Sequence, residues 1–228
     1  MIAIIGAMDL ELETLLNALE NREIHTIADK TFHVGSIAQH DVVIAKSGIG
    51  KVNAAMTASM LIIKYKPEYL INIGVAGGVK PTQIGDIVVA SGICYSDVSL
   101  EAIDRLPFGK MGTDPLIVEP DQPLRNRVVS ILTKQNIHFH QGLVASGDSF
   151  VVCRAFLKPI ENVVGPVLAC EMEGMAIAIV CHKFMVPFVS LRGISDVVDS
   201  SDQEETYRIS VDDIAKKTAA LALAILQN

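Results

Sequence analysis

Pro166-Val-Leu-Ala-Cys-Glu171-Met-Glu173-Gly-Met-Ala-Ile-Ala-Ile-Val180 passes from an apolar run into two carboxylates and straight back into an apolar run. The first run reads as the end of a buried strand and the second as a buried helix, with the acids at the junction. Carboxylates rarely sit in apolar sequence unless paired, hydrogen-bonded or catalytic. In open α/β sheets the carboxyl end of a strand is also where ligands bind. The junction thus predicts a fold class and a place for a site. Which acid faces a ligand stays open: the side chains share a face if 171–173 is extended and diverge by about 200° once the helix begins.

Outward from the junction, strands and helices alternate. Toward the N-terminus, Gly142–Ser146 reads as a strand ending in Ser146-Gly-Asp-Ser-Phe150, and Leu124–Gln135 as a helix. From Ser96 to about Pro123 there is loop chemistry, with prolines at 107, 115, 120 and 123; so long an irregular stretch is usually functional or at an interface. Asp86–Ser91 and Tyr69–Ile73 read as strands, the latter ending in Gly74-Val-Ala-Gly-Gly78, and Lys51–Tyr65 as a buried helix. Thr31–Ile37 and Asp41–Ala45 form a strand pair, and Ile2–Ile5 is a first strand. Asp9–Leu19 then carries a helical apolar pattern with acids in its first turn. Toward the C-terminus follow a helix from Glu173 to about Lys183, a strand over Pro187–Leu191 and an amphipathic helix over Ser210–Gln227. The pattern predicts a single α/β domain over residues 1–228, with a largely parallel, buried sheet.

Composition narrows the function. The 228 residues suffice for one substantial core, half of them hydrophobic but only 5% aromatic, so Ile, Val, Leu, Ala and Met must fill it. A net charge of −7 argues against a broad nucleic-acid or anionic-membrane surface, though not against binding one nucleoside. Cys94, Cys153, Cys170 and Cys181 show no metal spacing and read as reduced, buried thiols of a cytoplasmic protein. The apolar start lacks a basic lead-in, and no apolar run approaches the ~20 residues of a membrane span.

Gly- and Ser-rich turns follow several strands, at residues 6, 47–50, 74–78 and 146–148, where glycine lets backbone amides approach a ligand. Ser47-Gly-Ile-Gly-Lys-Val52 is no phosphate loop: position 45 is Ala and Val52 stands where Ser or Thr should be. Asp9, Glu11 and Glu13 read as a solvated helix start, the alternative being one acid aimed inward from the first strand's end. Asp196, just past an apolar strand, reads equally as a helix cap or as an acid. His138 and His140 read as surface or strand-edge residues. Neither a metal nor a cofactor has a ligand set, and Gly147-Asp-Ser-Phe150 is not a hydrolase elbow.

Taken together and in chain order, these segments resemble the 5′-methylthioadenosine/S-adenosylhomocysteine nucleosidases of the nucleoside phosphorylase superfamily. The segments are Ile4-Ile-Gly-Ala-Met8 with Glu11, Ser47–Val52, Asn72–Gly78, Gly85-Asp-Ile-Val-Val89, Ser146–Phe150, Glu171-Met-Glu173, Val186-Pro-Phe188 and Arg192-Gly-Ile-Ser-Asp196. The resemblance implies a three-layer α/β/α fold around a twisted mixed sheet. It also implies cleavage of the N9–C1′ bond of adenine nucleosides bearing a 5′-thioether, with water as co-substrate, in methionine salvage. The implied roles are Asp196 as general acid toward adenine N7 and Glu11 as base for the water. Glu173 takes the ribose hydroxyls and Met172 lines the sugar. Phe150 stacks on adenine, the Val151 backbone reads its edge, and Val75, Ala76 and Gly77 belong to the binding residues. Met8, Ile49 and the 98–115 loop of a second subunit form the thioether pocket, with Ser195 and Arg192 as supports. Phosphorylase relatives bring basic residues to a phosphate site, and the Gly6-Ala-Met8 turn has none.

Three departures touch the 5′ group. Val75 replaces a frequent Ser, as in the branch that accepts 6-amino-6-deoxyfutalosine, and Ser96-Asp-Val-Ser99 replaces His-Asp-Ala-Asp. The family's aromatic near the last helix falls on Tyr207 or Val211, because the 200–209 segment is lengthened.

Overall fold

The computed structural model describes residues 1–227. In chain order it contains β1 (Ile2–Gly6), α1 (Asp9–Asn17), β2 (Glu20–Ile27), β3 (Lys30–Ile37) and β4 (His40–Lys46). There follow α2 (Lys51–Tyr65), β5 (Tyr69–Gly78), β6 (Ile87–Tyr95), the short α3 (Glu101–Asp104) and β7 (Ile117–Val118), α4 (Gln122–Lys134) and β8 (Phe139–Ser146). A 3-10 turn at Arg154–Phe156 leads to α5 (Lys158–Val164), β9 (Val167–Glu171), α6 (Gly174–Phe184), β10 (Phe188–Val197) and α7 (Gln203–Gln227). Local chemistry sets several ends. Asp121 caps α4 by accepting from the Leu124 amide at 2.9 Å, with proline in the first turn. Lys66 ends α2 in the left-handed conformation just before Pro67.

Alternation along the strands divides the core into the two helical layers. Ala3, Ile5, Val43, Ala45 and Leu70 face α2 and α6. Ile2, Ile4, Val42, Ile44 and Ile71 face the opposite way, toward α1, α4 and α7. Strands covered on both faces read as continuous apolar runs, hence the unbroken Ile2–Ile5. The three-layer α/β/α arrangement with a mixed sheet is as expected.

The sheet is mixed, its longest pairings (β5–β10 and β6–β8) parallel and half of its pairings antiparallel. Pairing is parallel through β4–β1–β5–β10 and through β6–β8–β9. It is antiparallel at the two seams joining these blocks, β10–β6 and β5–β9, and in the β2–β3–β4 meander and β6–β7. Because β10 pairs with both β5 and β6, strands β5, β10, β6, β8 and β9 close into a ring.

Other expectations need correction. Gly74–Gly78 is not a turn but the second half of β5, paired along its length with β10. β10 runs on to Val197, so Asp196 lies within a strand rather than past one and caps no helix. α7 begins at Gln203, seven residues before the expected start. β2 and α5 were not anticipated; β2 is exposed on most of its residues and lacks an apolar face to betray it. Cys153 is exposed, while Cys94, Cys170 and Cys181 are buried. The helix α2 buries one face only, leaving Val52 and Ile63 in solvent.

Candidate active site

The carboxyl ends of β1, β5, β8, β9 and β10 surround one cleft whose empty space, mouth included, is about 550 Å³, within the range of small-molecule sites. Its acids come from three separate segments. Glu11 is the third residue of α1, and its carboxylate folds back on the turn before the helix. Oε2 accepts from the amides of Ala7 at 2.6 Å and Met8 at 3.0 Å, and Oε1 from the Val75 amide at 3.0 Å. A capping interaction thus holds a carboxylate that is only 2% exposed. Burial drives its pKa upward against those three amides and the Arg192 charge. Asp9 and Glu13 stay in solvent, so the inward-facing acid is the single exception in that trio.

Glu171 and Glu173 divide the junction between them. Glu171 ends β9 and is turned inward: its Oε2 pairs with Arg192 Nη2 at 2.8 Å and accepts from the amides of Glu173 and Gly174 at 3.0 and 2.7 Å. Glu173, just before α6, instead crosses to the 47–50 turn, where its Oε1 accepts from the Gly50 amide at 2.8 Å. Burial and the adjacent Glu171 charge push the Glu173 pKa up to about 7. Arg192, fully buried behind the cleft, also donates to Asn72 Oδ1, to which Ser190 Oγ donates as well at 3.2 Å. Gly74 is required there, because a Cβ would fall on Arg192 Nη1 and within 2.9 Å of Glu11 Oε1.

Asp196 reaches the cleft through an irregularity. Ile194 registers with Ala76 and Asp196 with Gly77, so Ser195 is an extra residue in β10, and such a bulge re-aims the side chains around it. Ser195 Oγ donates to Asp196 Oδ1 at 2.8 Å and Gln203 Nε2 to Oδ2 at 2.7 Å. Burial nevertheless raises the Asp196 pKa, the two donors opposing it. On the far wall Phe150 meets Tyr207 edge-on, with ring centroids 5.4 Å apart, and the Tyr207 hydroxyl lies 4.0 Å from Met8 Sδ.

Every expected substrate-binding residue lines the cleft except Arg192, which stands behind it. Of the two candidates for the missing aromatic, Tyr207 lines the cleft and Val211 does not. Sequence reasoning missed Gln203 and Lys30. The buried Lys30 Nζ donates to the Ser47 carbonyl at 2.9 Å and to Asn53 Oδ1 at 3.0 Å, pinning the turn that offers Gly50 and Ile49. Neither residue carries a local signal; Asn72, polar within an apolar strand, does.

One group among the described residues brings metal-ligand types together: Asp86, His138 and His140, with ligand atoms within 4.8 Å. It lies at the amino ends of β6 and β8, away from the cleft, with His140 Nε2 within hydrogen-bond distance of Asp86 Oδ2 at 2.9 Å. No helix among the described residues is long and apolar enough to cross a membrane.

Comparison with known proteins agrees across the chain. Residues 1–227 match the family model of the phosphorylase superfamily. A 5′-methylthioadenosine/S-adenosylhomocysteine nucleosidase of Halalkalibacterium halodurans is 36% identical over 226 residues, covering 99% of this chain and 97% of its own. The S. pneumoniae nucleosidase of the same name, solved with a transition-state inhibitor, superposes with a TM-score of 0.92 at 34% identity, covering 99% of this chain and 98% of that one. A futalosine hydrolase of Helicobacter pylori gives 0.93 at 28% identity, covering 99% and 97%.

Proposed function

This chain belongs to the phosphorylase superfamily and, within it, to the 5′-methylthioadenosine/S-adenosylhomocysteine nucleosidases, and from that premise we propose how its residues carry out the reaction. It hydrolyses the N-glycosidic bond of methylthioadenosine and S-adenosylhomocysteine, releasing adenine and the thioribose, as a cytoplasmic enzyme of methionine salvage. The observation that carries the reading is the convergence of Glu11, Glu173 and Asp196, all buried, on one cleft.

Departure of a purine needs a proton at N7 and a positioned water at C1′. Asp196, whose pKa burial raises, is the acid that shares a proton with N7. An ionised carboxylate has about four acceptor positions; Glu11 spends three on backbone amides and keeps one, on Oε1, for the water. Glu173 accepts from the ribose hydroxyls beside Met172, Phe150 stacks on the base, and the Val151 backbone with Val75–Gly77 frames its edge. Met8, Ile49 and Tyr207 close on the 5′ group, while Ser195 and Arg192 hold Asp196 and the buried acids in place.

The turn before α1 favours water over phosphate as the nucleophile. Amides at a helix start form an anion site, but here Ala7 and Met8 already hold the Glu11 carboxylate. The test is adenine release from methylthioadenosine with phosphate rigorously removed; turnover that disappears with phosphate would refute hydrolysis. A homodimer completes the pocket, the 98–115 loop of one subunit covering the other's thioether end. Exposed apolar side chains at the mouth (Ile49, Phe150) and on the loop (Ile103, Met111) support this, and a monomer by sedimentation would refute it. Val75 and the likeness to a futalosine hydrolase favour 6-amino-6-deoxyfutalosine as a further substrate. Side-by-side kcat/KM values for these nucleosides and 5′-deoxyadenosine would rank them.

A further inference from the structure

We propose that Gln203 is an intramolecular stand-in for the amino edge of adenine, so that the base enters the site only when this side chain swings out. The proposal rests on the nucleosidase reading above. Gln203 Nε2 donates to Asp196 Oδ2 at 2.7 Å and to the Val151 carbonyl at 2.9 Å. Those acceptors belong to the two groups assigned to the purine, the acid facing N7 and the backbone reading the edge. The 6-amino group of adenine sits beside N7 and is, like a carboxamide nitrogen, a planar NH2 with two donors. Two acceptors that converge on a single nitrogen admit one such group at a time.

Two further features fit a displaceable occupant. Gln203 Oε1 is buried with no hydrogen-bond partner among the described residues, and it recovers one in water when the side chain turns out. Gln203 is also the first residue of α7, after the turn at Ser200, where helix ends fray most easily. Four residues along the same helix, Tyr207 packs on Phe150 and approaches Met8. Displacing Gln203 therefore disturbs the turn that carries the cover over the 5′ end, linking base entry to the opposite end of the cleft.

A resident competitor lowers apparent affinity by the fraction of molecules left open; if the closed form holds about nine molecules in ten, removing it tightens binding about tenfold. The experiment is calorimetric titration of adenine into the full-length wild type and Gln203→Ala, alongside a crystal structure of the wild type with adenine. Tighter adenine binding by Gln203→Ala, with Gln203 turned away from Asp196 in the wild-type complex, supports the proposal. Equal or weaker binding by the variant overturns it, as does a wild-type complex in which Gln203 still donates to Asp196 beside bound adenine. If Gln203→Ala does not fold, the wild-type complex decides alone. A wild type that neither binds adenine nor releases it from methylthioadenosine refutes the nucleosidase reading, and the proposal with it. A wild type that does both, with Gln203 unmoved, overturns the proposal alone.

Discussion

Replacing Glu173 by Gln should stabilise the free protein above neutrality while crippling it as a catalyst. Glu173 is 7% exposed, next to the Glu171 carboxylate, and its pKa is raised from 4.5 to about 7. The folded chain therefore holds a proton that the unfolded chain releases between these values. The sign follows: the stability this one group contributes is fully present below pH 4.5, falls as pH rises, and is lost just above pH 7. At 1.36 kcal/mol per pH unit the interval corresponds to about 3 kcal/mol. Glutamine keeps an oxygen for the Gly50 amide and carries no charge. Glu173→Gln should thus match the wild type near pH 4.5 and exceed it by up to about 3 kcal/mol at pH 8. The measurement is urea unfolding of both proteins from pH 4.5 to 8.5 at one protein concentration. Their difference isolates Glu173 from Glu11 and Asp196, which also titrate. Loss of a charged acceptor for the ribose should lower kcat/KM about 10- to 100-fold. Unfolding free energies whose difference does not change with pH would refute the argument.

Asp196→Asn should lower kcat on methylthioadenosine by about 10²- to 10⁴-fold, as loss of a general acid does; full turnover would remove Asp196 from that role. Arg192→Leu strands the Glu171 carboxylate without its partner and should cost about 3–5 kcal/mol in denaturant unfolding. Near-wild-type stability would mean the pair is not held as described. Lys30→Met keeps the aliphatic stem but frees the Ser47 carbonyl and Asn53, so KM should rise about tenfold or more with a smaller effect on kcat. An unchanged KM would separate the turn from substrate binding.

The strand-helix alternation and the two-sided burial of the sheet were legible because continuous Ile, Val and Leu runs report burial directly. What lay hidden was set by distant partners. Gly74–Gly78 looks like a turn from its glycines, yet they lie in an extended strand closely approached by other side chains, Gly74 by Arg192 and Glu11, Gly77 by Asp196 and Cys170, and Gly78 by Thr82 and Ile194. The order of the sheet could not be read, since β10 pairs with β5 and β6 far from it in sequence. At the site, periodicity alone could not separate Glu11 from its two neighbouring acids, or Glu171 from Glu173; the resemblance assigns Glu11 and Glu173, and their partners give the physical reason. Those are three backbone amides for Glu11, Arg192 for Glu171 and the Gly50 amide for Glu173. Gln203 and Lys30 sit at positions whose surrounding sequence is ordinary surface.

The ring of five strands also orders events during synthesis. Its last member to be made, β10, lies between two strands completed about a hundred residues earlier, β5 and β6. Until Phe188–Val197 emerges, both present unpaired edges, the kind of surface that recruits foreign strands. Pairings this remote in sequence also close slowly. The final strand brings Asp196 and the Arg192 that pairs with Glu171, so Glu171 has no counter-charge until the sheet closes. Pairing of Phe188–Val197 thus covers both sheet edges and supplies the Arg192 partner of Glu171 in a single step of closure.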